Sequence, residues 1–160
     1  MKTLVVFYSL EGNTEFVAGV IANKLQADLI KLETVKPFPS EAPAKFFKGG
    51  MSAVFKLKPK LKNDSINVGQ YDNIIIGTPV WASTHASPIN TFIKRYGFTG
   101  KKVALFVCSG GPDVEKCYAK LKTALGDNNY VGEIDFMEPL KNGKEEAAKT
   151  AESWASNLKF

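Results

Sequence analysis

The chain has 160 residues, of which 44% are hydrophobic and 23% charged, and its formal net charge is +5 at pH 7. This length predicts one domain, residues 1–160, with a single core, and the composition is ordinary for a soluble globular protein. It also lacks the run of about 20 apolar residues that crosses a membrane. Cys108 and Cys117 are expected to be buried free thiols, and no signal-peptide pattern precedes the first strand. We therefore expect a cytoplasmic protein without membrane association.

The first predicted element is a strand over residues 4–8, which leads into a polar turn over residues 9–14. Its short run of β-rich apolar residues indicates a strand buried on both faces. After the turn the apolar spacing becomes helical, with one stripe formed by Val17, Ala18, Ile21 and Leu25. Backbone N–H groups and the positive end of the helix dipole then point at one place, where Ser9, Asn13 and Thr14 can add donors. The pattern predicts an anion site, with phosphate as the anion.

Spacing narrows the kind of phosphate site at this turn. The turn has one glycine, Gly12, and no lysine, whereas a Walker A loop needs a lysine and a dinucleotide fingerprint needs further glycines. No lysine or arginine occurs between Thr3 and Asn23, so the phosphate is expected to bind through dipoles alone. An ordinary turn in which Ser9 and Asn13 only cap the helix remains the alternative.

Strand and helix patterns alternate through the rest of the chain. Further strands are predicted at residues 29–33, 73–77, 103–107 and about 130–136, separated by helical stripes. The connection over about 36–70 is unusually long and is predicted to hold a short helix over 44–55. Five strands separated by helices predict a three-layer, doubly wound α/β domain with a five-stranded parallel sheet and helices on both faces.

A ligand in such a sheet lies beyond the carboxyl ends of the strands. Three loops are expected to meet there, at residues 9–14, 78–83 and 109–113. Trp81 lies among small residues and can stack a flat aromatic ligand, although an indole folded back over the core is the alternative. Gly110 and Gly111 lack side chains, so a ring edge can approach their N–H groups closely. Thr78 and Ser83 add hydroxyls or cap the following helix.

Three segments resemble the flavodoxin family of FMN-binding proteins. Residues 9–15 read SLEGNTE, residues 77–82 read GTPVWA with ASPINTFI at 86–93, and residues 106–111 read FVCSGG. The similarity covers essentially the whole chain. It implies a flavodoxin-like fold with strand order 2-1-3-4-5 and FMN as the cofactor, bound where strands 1 and 3 diverge.

The resemblance also implies two sets of FMN contacts. The phosphate is expected on Ser9, Leu10, Glu11, Gly12, Asn13 and Thr14. The flavin ring is expected against Thr78, Pro79, Val80, Trp81, Ala82 and Ser83, and against Ser109, Gly110 and Gly111. Glu11 departs from the family, in which a hydroxyl residue is common at this place. Only its backbone N–H can then serve the phosphate, and its side chain is expected to turn to solvent.

The chemistry of such a site belongs to the flavin, so no catalytic side chain and no metal ion are expected. The resemblance implies a low-potential, one-electron carrier between redox partners. An NAD(P)H-dependent FMN reductase acting on quinones or similar acceptors would use the same three loops and remains an alternative. A non-redox binding module on this fold is the alternative of another class. His85 is expected to cap a helix or lie at the surface rather than act on a substrate.

Basic charge is concentrated between Lys36 and Lys62, where seven lysines accompany one acid, Glu41. The net charge of this segment is +6 and that of the whole chain is +5, so the remaining residues have a net charge of −1. A solvated, lysine-coated insertion is the simpler interpretation. In the alternative, functional interpretation, the insertion flanks the flavin and docks an acidic redox partner protein or an anionic substrate. No nucleic-acid motif accompanies the lysines, and we expect a monomer or a weak homodimer.

Overall fold

The central sheet has five parallel strands and one short antiparallel strand. The computed structural model describes residues 1–63 and 65–160. Its strands are β1 (Thr3–Phe7), β2 (Asp28–Lys31), β3 (Asn73–Trp81), β4 (Thr84–His85), β5 (Lys102–Ser109) and β6 (Asn129–Met137). The parallel order is β2-β1-β3-β5-β6, and β4 pairs only with β3. This confirms the predicted fold class and the predicted order of the five main strands.

Among residues 1–63 and 65–160, six α-helices and a short 3-10 helix at Val68–Gln70 complete the layers. The α-helices are α1 (Asn13–Leu25), α2 (Ala44–Val54), α3 (Ser87–Tyr96), α4 (Glu115–Leu125), α5 (Pro139–Asn142) and α6 (Lys144–Asn157). One sheet face packs against α1 and α6, and the other packs against α3 and α4. Within residues 1–63 and 65–160, no helix combines the length and the apolar character needed to cross a bilayer.

Each central strand is buried on both faces because its alternate side chains enter two separate cores. On β1, Leu4 and Val6 join the core beneath α3 and α4, whereas Val5 and Phe7 join the core beneath α1 and α6. All four side chains are at most 1% exposed. A strand with apolar residues at every position can satisfy both cores only in a central place, which fixes β1, β3 and β5 in the middle of the sheet.

The predicted loop over residues 78–83 is largely a β-hairpin, which corrects the sequence-based interpretation. Strand β3 continues to Trp81 and pairs with β4 through a tight turn at Ala82 and Ser83. Both turn residues have positive φ, 49° and 58°. Two consecutive positive φ values match the twist of paired strands, but the sequence signal for such a turn is Asn-Gly or Asp-Gly. Ala-Ser carries no such signal, so the hairpin was not predicted.

The long connection between β2 and β3 contains the predicted helix. Helix α2 begins at Ala44 as expected and ends one residue before the predicted bound, at Val54. It is attached to α3 by a buried hydrogen bond of 2.5 Å from Ser52 Oγ to Ser87 Oγ. An isolated antiparallel bridge between Thr34 and Leu61 closes the base of the insertion.

Gly77 sets the spacing between β3 and β5. The two strands pair Gly77 with Phe106, and a Cβ atom on Gly77 would lie only 2.0 Å from Phe106 Cζ. We expect Gly77→Ala to lower the free energy of unfolding by about 1–3 kcal/mol through overpacking, measured by urea denaturation. Gly19→Ala in α1 is the matched control, because nothing lies within 4 Å of its added methyl group. It should raise stability by roughly 0.5–1 kcal/mol. Equal effects of the two substitutions would contradict the close approach.

Candidate functional site

A cavity of about 530 Å³ lies at the carboxyl ends of β1, β3 and β5. The predicted contact residues that line it are Ser9, Leu10, Glu11, Asn13, Thr14, Pro79, Val80, Trp81, Ala82, Ser109 and Gly110. The predicted Gly12, Thr78, Ser83 and Gly111 neighbour these residues in the chain but are not among the lining residues. The three loops therefore meet at one cavity, while their contacts with a ligand stay a prediction.

The turn before α1 leaves the helix N-terminus available to a ligand. Gly12 adopts a φ of 94° at the N-cap, a conformation that L side chains rarely adopt. Ser9 Oγ accepts a hydrogen bond from the Gly12 N–H at 3.2 Å, and Asn13 Oδ1 accepts one from the Leu140 N–H at 3.1 Å. Within the described part of the chain, no side chain caps α1. The alternative that Ser9 and Asn13 only cap this helix is therefore wrong, and the geometry suits an anion.

Two buried residues of the cavity lining are uncharged. Thr14 and Cys108 are buried, and both line the cavity. Burial raises the pKa of the Cys108 thiol to about 12, against a hydrogen bond from Thr14 that lowers it. The thiol is therefore protonated at neutral pH, which argues against a role as a nucleophile.

Trp81 is both a wall of the cavity and part of an aromatic cluster. Its ring makes T-shaped contacts with Tyr8, at a centroid distance of 5.5 Å, and with Phe38, at 5.1 Å. A Cβ atom on Gly49 would lie 3.5 Å from the indole, so the backbone of α2 rests against the ring. The indole remains partly exposed. The indole therefore packs against the protein, as in the core interpretation, and also borders the cavity, as the stacking interpretation requires.

The loop after β5 leaves one open edge. Ser109 is buried and donates a hydrogen bond of 2.5 Å from its hydroxyl to the Gly111 carbonyl oxygen, which fixes the turn. Gly110 is exposed, and no atom lies within 4 Å of a Cβ placed on it. A flat ligand can therefore approach the Gly110 backbone without displacing protein atoms.

Five lining residues were missed by the sequence analysis: Lys45, Phe46, Gly50, Cys108 and Glu138. Three of them come from α2, which lies at least 24 residues along the chain from any of the predicted loops. The expectation that dipoles alone serve the anion stays a prediction, and Lys45, which also lines the cavity, offers a cation that the expectation did not include. Its Nζ lies 2.5 Å from Glu11 Oε1, so the Glu11 side chain is paired rather than simply turned to solvent. The lysine-rich insertion and the unusual Glu11 were the two signals available in the sequence.

His85 lies inside the protein rather than at the surface or at a helix cap. It is 5% exposed on β4, and its Nε2 lies 2.7 Å from Asn90 Oδ1. Burial lowers the pKa of His85, although the Asn90 hydrogen bond acts in the opposite direction. It does not line the cavity, which argues against a direct role in proton transfer to a ligand.

Comparison with known proteins gives one family and several similar structures. A family model described as flavodoxin matches residues 2–154. A flavoprotein from Lactobacillus acidophilus solved in complex with FMN is 24% identical, with a TM-score of 0.72, over 89% of this chain and 98% of that chain. A Bacteroides uniformis protein with a provisional flavoprotein assignment is 23% identical, with a TM-score of 0.78, over 98% of each chain. A flavone reductase is 11% identical, with a TM-score of 0.60, over 99% of this chain and 62% of that chain.

The buried His85 predicts a pH-dependent stability. Its pKa is lowered in the folded state, so the unfolded chain binds a proton first as the pH falls below the ordinary value of 6.5. Stability is therefore fully present above pH 6.5 and is lost as the pH falls towards the lowered pKa, by up to about 1.4 kcal/mol per pH unit. Urea denaturation between pH 7.5 and 5.5 should show a smaller decline for His85→Gln than for the wild type. The same decline in both proteins would contradict this assignment.

Proposed function

This chain belongs to the flavodoxin family, and we propose that it is an FMN-binding protein that carries electrons one at a time between redox partners. The observation that carries the proposal is the cavity at the strand ends, with the free N-terminus of α1 at one side and Trp81 at another. The FMN-bound relative from Lactobacillus acidophilus supports the choice of cofactor.

The cavity suits FMN in size and in chemistry. Its volume of about 530 Å³ is typical of a small-ligand site. The first-turn N–H groups of α1 can hold one phosphate, while Trp81 and the open Gly110 backbone can border a flat ring. These features lie on three strand ends fixed by a common sheet, so the phosphate and ring positions are preorganised relative to each other.

The bound flavin would supply one- and two-electron redox chemistry. The residues of this chain would hold its phosphate, orient its ring and limit the approach of water. The charged side chains that line the cavity are Glu11, Glu138 and Lys45, which together carry one excess negative charge. Negative surroundings disfavour the addition of further negative charge, which supports a low reduction potential. The protonated Cys108 and the secluded His85 fit a carrier that needs no acid, base or nucleophile of its own.

The surface of α2 supports the proposal that the partner is an acidic redox protein. Phe46, Phe47 and Phe55 are 69%, 70% and 64% exposed, and Phe46 lies at the cavity itself. Exposed lysines, among them Lys48 and Lys56, lie on or next to this helix. Aromatic side chains within a basic surface favour a partner with an acidic rim and an apolar centre.

A reductase acting on quinones with NAD(P)H is the second candidate, and one observation favours it. An open apolar groove of about 640 Å³ lies beside α2, lined by Phe38, Phe47, Met51, Phe55 and Leu57 together with Lys48 and Lys58. Apolar walls suit a nicotinamide or quinone ring, and the two lysines suit the phosphates of a dinucleotide. The carrier and the reductase differ in whether a nicotinamide nucleotide bound in this groove reduces the flavin directly.

The cofactor assignment is tested by titrating the flavin-free protein with FMN, FAD and ATP. We expect FMN to bind with one-to-one stoichiometry and more tightly than the other two, because the site offers one phosphate position and one flat wall. Quenching of flavin fluorescence follows FMN and FAD, and calorimetry follows ATP. Tighter binding of ATP than of FMN would overturn the proposal.

In the same titration Trp81→Ala should weaken FMN binding by roughly 1–3 kcal/mol, whereas Trp154→Ala, outside the cavity, should not.

Carrier and reductase are separated by mixing the FMN-loaded protein with NADPH or NADH in a stopped-flow spectrometer. We expect very slow reduction by either nucleotide, whereas stepwise electrochemical titration should resolve two one-electron steps. Reduction must remain slow when a quinone is present. Rapid two-electron bleaching with quinone turnover would favour the reductase.

A further inference from the structure

Lys45 connects the insertion to the turn that precedes α1. It lies in the first turn of α2, and its Nζ lies 2.5 Å from Glu11 Oε1. The Lys45 side chain is only 20% exposed, and that of Glu11 is 50% exposed. Both residues line the cavity. The ion pair therefore stands at the cavity wall beside the free N–H groups of α1.

With Lys45 paired to Glu11, the charges at this wall of the cavity do not favour an anionic ligand. A phosphate ester brings about −1.5 to −2 charges at neutral pH, next to a carboxylate that repels it. Lys45 is the one cation among the described residues that line the cavity, and it is already paired. A phosphate has more negative charge and more acceptor oxygens than Glu11, so it competes with Glu11 for the ammonium group.

We propose that Lys45 is a phosphate-specificity residue that exchanges its ion-pair partner, from Glu11 to the ligand phosphate, when the ligand binds. The inference rests on the proposed function, since it assigns the phosphate of FMN to a cation from the insertion. Glu11 acts as an internal competitor that lowers affinity for the phosphate. Lys45 makes the site distinguish FMN from riboflavin, which has the same ring and no phosphate.

The exchange also ties the position of α2 to the ligand. The contacts that hold this helix include Lys45 with Glu11 at its start, Gly49 against Trp81, and Ser52 bonded to Ser87. The Ser52 bond involves no cavity-lining residue and the Gly49 contact does not depend on a phosphate, whereas the contact of Lys45 would pass to the phosphate. A phosphorylated ligand therefore holds the start of α2 across the cavity, and riboflavin leaves that end held by Glu11 alone.

The test compares FMN and riboflavin affinities of the wild type, Lys45→Gln, Glu11→Gln and the matched control Lys48→Gln, whose side chain borders the neighbouring groove. Lys45→Gln should weaken FMN binding by about 10- to 100-fold, as expected for a lost charged hydrogen bond, and leave riboflavin binding within about twofold. Glu11→Gln should tighten FMN binding and leave riboflavin binding unchanged. Lys48→Gln should change neither affinity, and Lys45→Arg should restore FMN binding. Hydrogen exchange should show α2 better protected with FMN than with riboflavin in every protein that keeps a cation at position 45, and equally protected by the two ligands in Lys45→Gln.

Three outcomes would overturn the assignment of Lys45 while leaving FMN binding itself in place. These are an unchanged FMN affinity in Lys45→Gln, an equal loss for FMN and riboflavin, which would indicate displacement of α2, and weaker FMN binding in Glu11→Gln. Riboflavin affinity also reports whether each variant keeps a folded cavity. Failure of the wild type to bind FMN would instead overturn the proposed function and this inference with it.

Discussion

The pairing of β3 between β1 and β5 is the constraint on which the rest of the structure depends. Side chains from both faces of these strands are withdrawn from water, so none of the three can move to the sheet edge without exposing a core. Parallel pairing then sends all three carboxyl ends to the same side. The cavity exists because three turns must share that edge, and its walls inherit the rigidity of the strands below them. Function at this edge is therefore separable from stability, which resides in the layers beneath.

The elements that the sequence predicted well are those with strong, local patterns. The run Ile74-Ile75-Ile76 can belong only to a buried strand or helix, and its flanking polar residues decide for a strand. The β3–β4 hairpin shows the limit of such reasoning, because tertiary pairing imposes left-handed conformations on Ala82 and Ser83 that neither residue prefers. The surrounding strands supply the free energy that local propensity does not.

The candidate site shows the same division between near and distant contacts. The three loops were predicted to meet because the topology of a parallel sheet requires it, whatever their side chains. The ion pair of Glu11 with Lys45 spans 34 residues and depends on how the insertion folds back over the strand ends. No periodic pattern in either segment predicts that the two will meet. The basic composition of the insertion indicated an electrostatic role but could not indicate which lysine reaches the cavity.

The two sides of α2 differ in how freely their residues can be substituted during evolution. On its inner side, atoms beyond a methyl group at Gly49 would collide with Trp81, so variation there alters the cavity. On its outer side, Phe47 and Lys48 are exposed to solvent and do not line the cavity. Mutations can accumulate on that outer side while the cavity below stays as it is. A lineage carrying this insertion could thus acquire new binding partners without rebuilding the chemistry that serves them.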